Sequence, residues 1–527
     1  MRCLLDFLSL KPRVTPLLVV LMSARLCAAD PLDGPRQQTN AIEKLPSHVA
    51  ERFVASLSAV DALHTMASGS MNAEQYVSIL IQRISSNPGL NAVIQMDPER
   101  VLAAARAADA LRASGEAVGA LTGLPILLKD SINTADLPTT GGTPALAEFQ
   151  PEDNAAVLQS LLDAGAILLG KTNLHELSAG YTTTNAFTGA TLNPYDFARI
   201  PGGSSGGNGA ALAARFAPVA VGEDTAGSVR VPAALNGVTG FRPSSGRYSQ
   251  DGVIPLATSL DTLGPMARTV EDLALLDSVI TGAPMGLADI RLDGLRLGLP
   301  RAHFRELLDP GVEEALGKVF KRLQDAGVVL VEADIPQVGE LTQQASLVLN
   351  LFEAPRGLSN YLEANNAGIT VRELAAQVAS QDVAFLLSLA LAGAVSEEDY
   401  LTVAFGLLPI LQSIYLEYVD RHNLDAVVFP TNAVPAPQVG EMSVSIDGVD
   451  MPVFDAYFRL GHYAPLVGAP TVSLPIGQLP GGLPVGGIDI AGRPGDDRRI
   501  LAIGAAISRV LPRIRPPQKI RPLPVDD

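Results

Sequence analysis

The chain has 527 residues, of which 47% are hydrophobic, and it carries a formal net charge of −17 at neutral pH. The hydrophobic fraction is sufficient for a large buried core, and the length allows more than one domain. So acidic a chain has no basic surface for a nucleic-acid backbone, so we expect no RNA or DNA partner.

Residues 1–29 have the pattern of an export signal. Basic residues precede the apolar run PLLVVLM at 16–22, and small residues suited to cleavage follow near Ala29. A short hydrophobic N-terminal helix is the alternative. The run is too short to cross a bilayer, and no later stretch reaches about 18 uninterrupted apolar residues. We therefore expect a periplasmic or secreted protein without a stable membrane span.

Both cysteines, Cys3 and Cys27, lie within this signal. The mature chain would therefore contain no disulfide and no thiol nucleophile, which excludes every mechanism that uses a catalytic cysteine. Removal of residues 1–29 also takes away four basic side chains and one acidic side chain, and leaves a net charge of −20.

The first half of the mature chain changes its pattern twice. Residues 30–50 are polar and predict a linker, whereas residues 51–115 show helical periodicity. Between 120 and 275, short apolar runs such as GLPILLKD and GAILLGKTN alternate with turns rich in glycine and proline. This alternation predicts buried strands with helices between them.

The second half continues this mixture of strands and helices. Residues 295–300 (LRLGLP) begin a predicted β-α-β unit, and residues 337–420 are mostly apolar and helical. Another strand is predicted at 424–432, and the proline-rich tail at 512–527 is expected to be loose. Strands mixed with helices throughout predict an α/β architecture with a covered sheet.

The run PGGSSGGNGAALAA at 201–214 places Ser204 and Ser205 among glycines, which lose more conformational freedom on folding than other residues. Such a run could serve as a phosphate-binding loop, as a nucleophile elbow, or as part of an amide-hydrolysing site with paired serines. A match to the phosphate-loop pattern occurs at GAILLGKT, 165–172. Its middle residues favour a strand and Lys171 follows that strand, so we interpret this match as accidental.

The elbow interpretation takes Ser204 as the nucleophile, because GGSSG at 202–206 fits G-x-S-x-G. An elbow must follow a β-strand, but the preceding LNPYDFARIP contains two prolines and predicts a loop. It also requires a downstream histidine, and His303, His422 and His462 all lie in ordinary segments. An α/β-hydrolase-like esterase that uses Ser204 is kept as an alternative.

The third interpretation combines three separated residues. Ser228 follows a turn in EDTAGSVRVPA, and Lys129 ends the apolar run GLPILLK. Burial disfavours the ammonium form of lysine, so Lys129 could act as a base near neutral pH. A hydroxyl needs such a base to become a nucleophile. Singly these signals are weak, since a strand-end lysine usually extends to water, but together they predict a proton relay.

These segments resemble the amidase signature family. The similarity extends from about residue 70 to 275, and it resumes near the C-terminus in GAPTVSLPIG and GLPVGGIDIAGRPGDD. Five ordered blocks carry it: GLPILLKD, GAILLGKTN, PGGSSGGNGAALAA, GEDTAGSVRVPAALNGVTGFRPSSGR and LDTLGPMART. The resemblance implies a single large α/β domain over residues 51–511, with a mixed sheet covered by helices on both faces. It further implies a signature core at about 120–275 and a helical pocket cover at about 337–420.

The resemblance also implies a role for each matched residue. Ser228 would accept the acyl group, Ser204 would bridge to it beside a cis peptide bond, and Lys129 would be the general base. Ser205 would give hydrogen-bonding support, and Lys171 and Asn173 would belong to a structural block. The resemblance implies an oxyanion hole made by the backbone N–H groups of Thr225, Ala226, Gly227 and Ser228.

Two positions depart from the family pattern, and we expect neither to contact Lys129, Ser204 or Ser228. Ala226 stands where glycine is usual, which narrows the backbone angles available to the oxyanion turn. Glu223 stands where threonine or a small residue is more usual.

We therefore expect a serine amidase that hydrolyses a carboxamide to the acid and ammonia or an amine, with a small-molecule amide as partner. We expect no cofactor and no metal, and the sequence leaves a homodimer open. The stretches around 180–207 and 240–259 look most like arylacetamide hydrolases such as indoleacetamide and mandelamide hydrolases. The alternative is a transamidating subunit that acts on misacylated tRNA, which the signal and the acidic charge disfavour.

Overall fold

A central β-sheet organises the residues that the computed structural model describes, 47–522. The strands of this part of the chain are β1 (Val93–Gln95), β2 (Pro125–Lys129), β3 (Ile167–Thr172), β4 (Thr184–Asn185), β5 (Gly189–Ala190), β6 (Val219–Asp224), β7 (Thr239–Arg242), β8 (Thr262–Ala267), β9 (Arg296–Gly298), β10 (Val329–Val331), β11 (Ala426–Pro430), β12 (Ser443–Ile446), β13 (Val449–Pro452), β14 (Thr471–Pro475) and β15 (Gly487–Ala491).

Helices precede the sheet and alternate with its strands. They are α1 (Ser47–Ser56), α2 (Ala59–Ala67), α3 (Ala73–Ser85), α4 (Pro98–Ser114), α5 (Ala156–Asp163), α6 (Gly206–Ala213), α7 (Arg230–Leu235), α8 (Val270–Thr281), α9 (Pro310–Asp325), α10 (Val338–Ala364), α11 (Val371–Ala375), α12 (Gln381–Leu391), α13 (Glu397–Thr402), α14 (Leu408–Arg421), α15 (Val453–Gly461), α16 (Tyr463–Leu466) and α17 (Asp497–Ser508). A π-helical turn, Val403–Leu407, joins α13 to α14.

Eleven strands form the main sheet in the order β1-β3-β2-β6-β8-β7-β14-β15-β11-β9-β10. β2 runs parallel to both β3 and β6, whereas β6, β8, β7, β14 and β15 alternate in direction. The carboxyl ends of β2, β3 and β6 therefore lie at one edge of the sheet. This edge brings together the ends of the strands that carry Lys129, Thr172 and Asp224.

The central strands are buried on both faces, as the apolar sequences PILLK and AVVFP require. Every residue of β2, β6, β8, β11 and β15 is buried, so helices must cover both sides of the sheet. The described residues, 47–522, belong to one compact unit. The predicted α/β domain with a covered mixed sheet is confirmed.

The elements match most of the sequence predictions. The β-α-β unit is formed by β9, α9 and β10, whose strands pair in parallel. The predicted signal at 1–29 lies outside the described residues, as does most of the linker, and α1 begins at Ser47, within the segment predicted as linker. In the described part of the predicted tail, 512–522, Arg521 N–H donates to Asn87 Oδ1 at 2.8 Å, and Arg515 N–H donates to Gln478 Oε1 at 3.0 Å.

One helical stretch of the described chain passes a length and composition test for a membrane span. It is Glu397–Arg421, with a mean hydropathy of 1.3. Leu411, Tyr415 and Val419 of this stretch are buried within the domain. A single helix of this kind is weak evidence for a span, because core helices can have the same composition.

Candidate active site

Lys129 ends β2 inside the protein, because the residues before it are apolar and buried. Its Nζ lies 2.8 Å from Ser204 Oγ and 3.3 Å from Glu223 Oε2. Burial lowers the pKa of Lys129, and the nearby Glu223 carboxylate opposes this effect. The structure therefore brings together the lysine and the serine that the sequence analysis paired.

Ser204 lies in the loop that leads into α6. The peptide bond between Gly203 and Ser204 is cis, as the family resemblance implied. The Ser204 carbonyl accepts a hydrogen bond from His175 N–H at 3.0 Å, and Ser205 N–H donates to the Ser228 carbonyl at 3.1 Å. The Ser205 backbone thus ties the Ser204 loop to the turn that carries Ser228.

The glycines around Ser204 are needed mainly for close packing. A Cβ on Gly203 would lie 2.8 Å from the carbonyl carbon of Tyr181, and one on Gly209 would lie 2.6 Å from Asn236 Nδ2. Gly202 alone within the loop at 201–209 has a positive φ, of 82°. The loop is therefore glycine-rich because neighbouring backbone approaches it closely.

Asp224 holds the turn that carries Ser228. Its carboxylate accepts hydrogen bonds from Gly227 N–H at 2.8 Å, from Val229 N–H at 3.2 Å and from Arg230 Nε at 3.1 Å. Burial would raise the pKa of Asp224, but the Arg230 and Arg242 guanidiniums hold it well below its usual range. An ionised, buried carboxylate thus fixes the backbone on both sides of Ser228.

The structure differs from two expectations about the turn at 225–228, where the family resemblance implied an oxyanion hole. The Gly227 N–H donates to Asp224, so this group is not directed to a substrate as the family resemblance implied. Ala226 is not among the residues with positive φ, so its Cβ causes no strain there. The Ala226 carbonyl accepts a hydrogen bond from Tyr181 Oη at 2.9 Å, which fixes the peptide on that side.

The expectation that Glu223 contacts none of Lys129, Ser204 and Ser228 was wrong, because its side chain pairs with Lys129. Its Oε2 accepts hydrogen bonds from Lys129 Nζ, from Ser131 Oγ at 3.0 Å and from Ser178 Oγ at 2.9 Å. Consecutive strand residues point to opposite faces, so Glu223 faces Lys129 whereas Asp224 faces the arginines. Two adjacent acids at the end of an apolar strand were the signal that both needed buried partners.

A cavity of about 660 Å³ opens beside Ser228. Ala226 and Ser228 line one wall of it, and apolar side chains such as Leu351, Leu387 and Phe454 line the others. These walls come from α10, α12 and α15. The predicted cover at 337–420 therefore contributes its first half, while the described residues after 396 in that segment do not line the cavity.

Some polar groups of the cavity wall have partners within the protein, whereas Thr342 Oγ1, Arg459 Nε and His462 Nε2 are buried there without a hydrogen bond to residues 47–522. Arg459 donates to the carbonyls of His303 at 2.9 Å and Leu307 at 3.2 Å, and Asp455 is exposed at the edge. No group of acidic, histidine or cysteine side chains within residues 47–522 could hold a metal ion. The cavity thus suits a neutral, largely apolar molecule.

The two alternative interpretations of the glycine loop fail on geometry. The phosphate-loop match forms strand β3, and Lys171 Nζ contacts Asp130 Oδ1 at 3.0 Å and the Ile132 carbonyl at 2.8 Å. In the described part of the chain no strand leads into the Ser204 loop, and the Ser204 hydroxyl is bonded to a lysine instead of a histidine. The loop at 201–209 is therefore neither a phosphate-binding loop nor a nucleophile elbow.

Comparisons with known proteins agree with this geometry. A sequence profile of the family described as Amidase matches residues 75–501. The chain is 38% identical over 439 residues to an indoleacetamide hydrolase of Agrobacterium vitis, an alignment that covers 83% of this chain and 93% of that protein. It is 35% identical over 501 residues to a mandelamide hydrolase of Pseudomonas putida, which covers 92% and 96%.

Solved structures give the same result. The native peptide amidase from Stenotrophomonas maltophilia superposes with a TM-score of 0.76 at 30% identity, covering 88% of this chain and 99% of that one.

A further sequence match covers less of the chain. The chain is 44% identical over 293 residues to a glutamyl-tRNA(Gln) amidotransferase subunit of Chloroflexus aggregans, an alignment that covers 53% of this chain and 60% of that protein. The chain therefore belongs to the amidase family and is an enzyme that hydrolyses amide C–N bonds.

Proposed function

We propose that this enzyme hydrolyses a neutral aryl amide through an acyl-enzyme on Ser228, with Ser204 relaying a proton to Lys129. The observation that carries the proposal is the buried 2.8 Å hydrogen bond between Lys129 Nζ and Ser204 Oγ. The neighbouring Ser205 N–H donates to the Ser228 carbonyl at 3.1 Å, and Ser228 lines the cavity. A buried lysine with a lowered pKa suits the role of base in such a relay.

The first half-reaction forms the acyl-enzyme. Neutral Lys129 takes the Ser204 proton while Ser204 takes the proton of Ser228, whose Oγ attacks the amide carbonyl carbon. The oxyanion that forms is stabilised by backbone N–H groups of Thr225, Ala226 and Ser228. The intermediate collapses as the C–N bond breaks, and the departing nitrogen receives the proton held by Lys129 through Ser204.

The second half-reaction releases the acid. A water molecule gives its proton to Ser204 as Ser204 gives its own to Lys129, and the oxygen attacks the acyl carbon. Collapse breaks the bond to Ser228 Oγ, which recovers a proton by the same relay. The site returns to its starting protonation state after one amide and one water have been consumed.

The substrate class follows from the cavity and from the relatives. The volume of the cavity lies within the range of small-molecule sites. Leu351, Leu387 and Phe454 offer apolar contacts, and the two Nη atoms of Arg459 donate to backbone carbonyls. The names of the two hydrolase relatives describe aryl groups separated by one carbon from an amide, which fits such a wall.

Ammonia release from a panel of amides tests the proposal. We expect kcat/KM for indole-3-acetamide, phenylacetamide and mandelamide to exceed that for acetamide by about 100-fold or more, because the aryl group buries a large apolar area. An amide that carries a carboxylate should be a poor substrate. Acetamide turnover equal to that of the aryl amides would contradict the substrate class.

A serine-directed fluorophosphonate separates the nucleophile from the substrate question. We expect covalent labelling of wild type at Ser228 and none in Ser228→Ala, whose circular dichroism and melting temperature should match wild type. Labelling that persists in Ser228→Ala would contradict the assignment. Labelling at Ser204 would favour the elbow.

We also propose that the enzyme is exported. The signal pattern at 1–29 supports this, and mature protein from its native host should begin near Asp30 and titrate no free thiol. An N-terminus at Met1 in the folded protein would contradict export.

The proposed reaction requires only a small-molecule amide as partner. Analytical ultracentrifugation would test whether the enzyme forms the homodimer that the sequence leaves open.

A further inference from the structure

We propose that Glu223 is a positioning residue of this reaction: its carboxylate stabilises the ammonium that forms on Lys129 when the relay accepts a proton. The inference rests on the proposed relay and adds a residue that does not touch the substrate. It concerns a position at which this chain departs from the family pattern.

Glu223 contacts the lysine of the proposed relay and two further hydroxyls. Its side chain is fully buried, and a single oxygen, Oε2, accepts from Lys129 Nζ, Ser131 Oγ and Ser178 Oγ. Its backbone carbonyl accepts from Ser205 Oγ at 3.3 Å. One carboxylate oxygen therefore fixes the position of the lysine Nζ relative to the serine loop.

The other charged groups near Lys129 are occupied elsewhere. Asp224 is paired with Arg230 and Arg242. Asp261 accepts from Thr225 Oγ1 at 2.6 Å, and burial, together with the Glu223 charge, raises the pKa of Asp261 to about 7. Within residues 47–522, the ion pair of Lys129 is with Glu223.

The negative charge of Glu223 stabilises Lys129 after it has accepted the proton. Before transfer the pair holds a neutral amine and a carboxylate, and afterwards an ammonium and a carboxylate 3.3 Å apart. A lone ammonium in this apolar interior would be costly, so the carboxylate stabilises the state in which Ser228 has lost its proton. The same charge keeps Lys129 protonated to a higher pH than burial alone would allow.

The test is the pH dependence of fluorophosphonate labelling at Ser228, which requires no knowledge of the amide substrate. Glu223→Gln keeps an acceptor for Ser131 and Ser178 but removes the charge. The acid limb is the part of the profile in which the labelling rate rises with pH, and in Glu223→Gln we expect it to lie about 1–3 pH units lower than in wild type. The labelling rate on the plateau above it should fall at least about tenfold. Glu223→Asp keeps the charge and should retain a limb close to that of wild type.

Two further variants keep the test decisive. Glu353→Gln removes another buried carboxylate, which lies on α10 and accepts hydrogen bonds from Thr258 Oγ1 and Ser259 N–H, and it should leave the acid limb unchanged. Ser131→Ala removes a donor to Glu223, so more of the negative charge acts on Lys129, and the limb should move to higher pH.

The outcomes are distinct. An unchanged acid limb in folded Glu223→Gln would overturn the role of Glu223 while leaving the relay intact. If Glu223→Gln does not fold, a downward shift in Ser131→Ala would overturn it instead. Absence of labelling at Ser228 in wild type at every pH would overturn the proposed function, and this inference with it.

Discussion

Two buried lysines on neighbouring strands show how different functions arise from similar surroundings. Lys129 and Lys171 end β2 and nearly end β3, both are fully buried, and each is paired with a carboxylate. Leu128 is opposite Lys171 in the parallel register, so the two lysines point to opposite faces of the sheet.

The partners of the two lysines distinguish them. Lys171 Nζ is surrounded by Asp130, by the Ile132 carbonyl and by Thr139 Oγ1 at 3.0 Å, none of which lines the cavity. Lys129 instead contacts the hydroxyl of Ser204, and the neighbouring Ser205 N–H donates to the carbonyl of Ser228, the proposed nucleophile. Burial next to an acid is therefore not enough to make a base, which also requires a hydroxyl leading to the substrate.

Substitution of Lys129 should have the largest effect on turnover. Lys129→Ala is expected to lower kcat by about 10²- to 10⁴-fold, the usual contribution of a general base. Lys129→Arg should be nearly as inactive, because a guanidinium stays protonated at any working pH. Substantial turnover by Lys129→Arg would make Lys129 a structural cation and remove its difference from Lys171.

Substitution of Lys171 should act on stability. Lys171→Met leaves the Asp130 carboxylate without its cation in the interior, which is expected to lower the free energy of unfolding by about 3–5 kcal/mol. The double variant Lys171→Met/Asp130→Asn should recover part of this loss, as denaturant titration would show. Equal losses in the single and double variants would mean that the pair is not coupled.

The pH profile should follow Lys129. Its pKa is lowered mainly by burial, and only the neutral amine accepts a proton. The kcat/KM of wild type should rise about tenfold per pH unit below that pKa and stay high on the alkaline side. A profile that falls as pH rises through this range would exclude Lys129 as the base.

The smallest effect is expected at Ala226. The backbone of Ala226 lies outside the left-handed region, so its Cβ does not prevent the backbone N–H from adopting the conformation that it needs. Ala226→Gly should therefore change kcat/KM by less than about threefold. Steady-state kinetics on the best amide of the panel would measure it. A gain of tenfold or more would show that the alanine strains the turn after all.

The sequence predicted those parts of the site that lie on regular elements or in short motifs. The apolar run before Lys129 predicted a buried strand, and the five ordered blocks placed Ser204 and Ser228 near it. The role of Gly227 could not be predicted, because the side chain of Asp224 captures its N–H only in the folded turn. The share of α15 in the cavity wall was also missed, because nothing local in 453–461 shows what it packs against.

The contacts of Glu223 also could not be predicted from the sequence. In the sequence it was a departure from a family pattern, and its partners Ser131 and Ser178 are 92 and 45 residues away. A buried acid must have donors, but sequence spacing does not say which hydroxyls supply them. The fold decides that, by joining the end of β2 to the end of β6.

The anchoring of Arg230 has a consequence for synthesis of the chain. Arg230, two residues after Ser228, contacts Asp489 at 2.6 Å and the Gly461 carbonyl at 2.7 Å, 259 and 231 residues further on. Lys129, Ser204 and Ser228 are therefore synthesised long before the turn that carries Ser228 can be completed. The enzyme should become active only after its C-terminal segments have joined the fold, and a chain truncated after residue 480 should not react with fluorophosphonate.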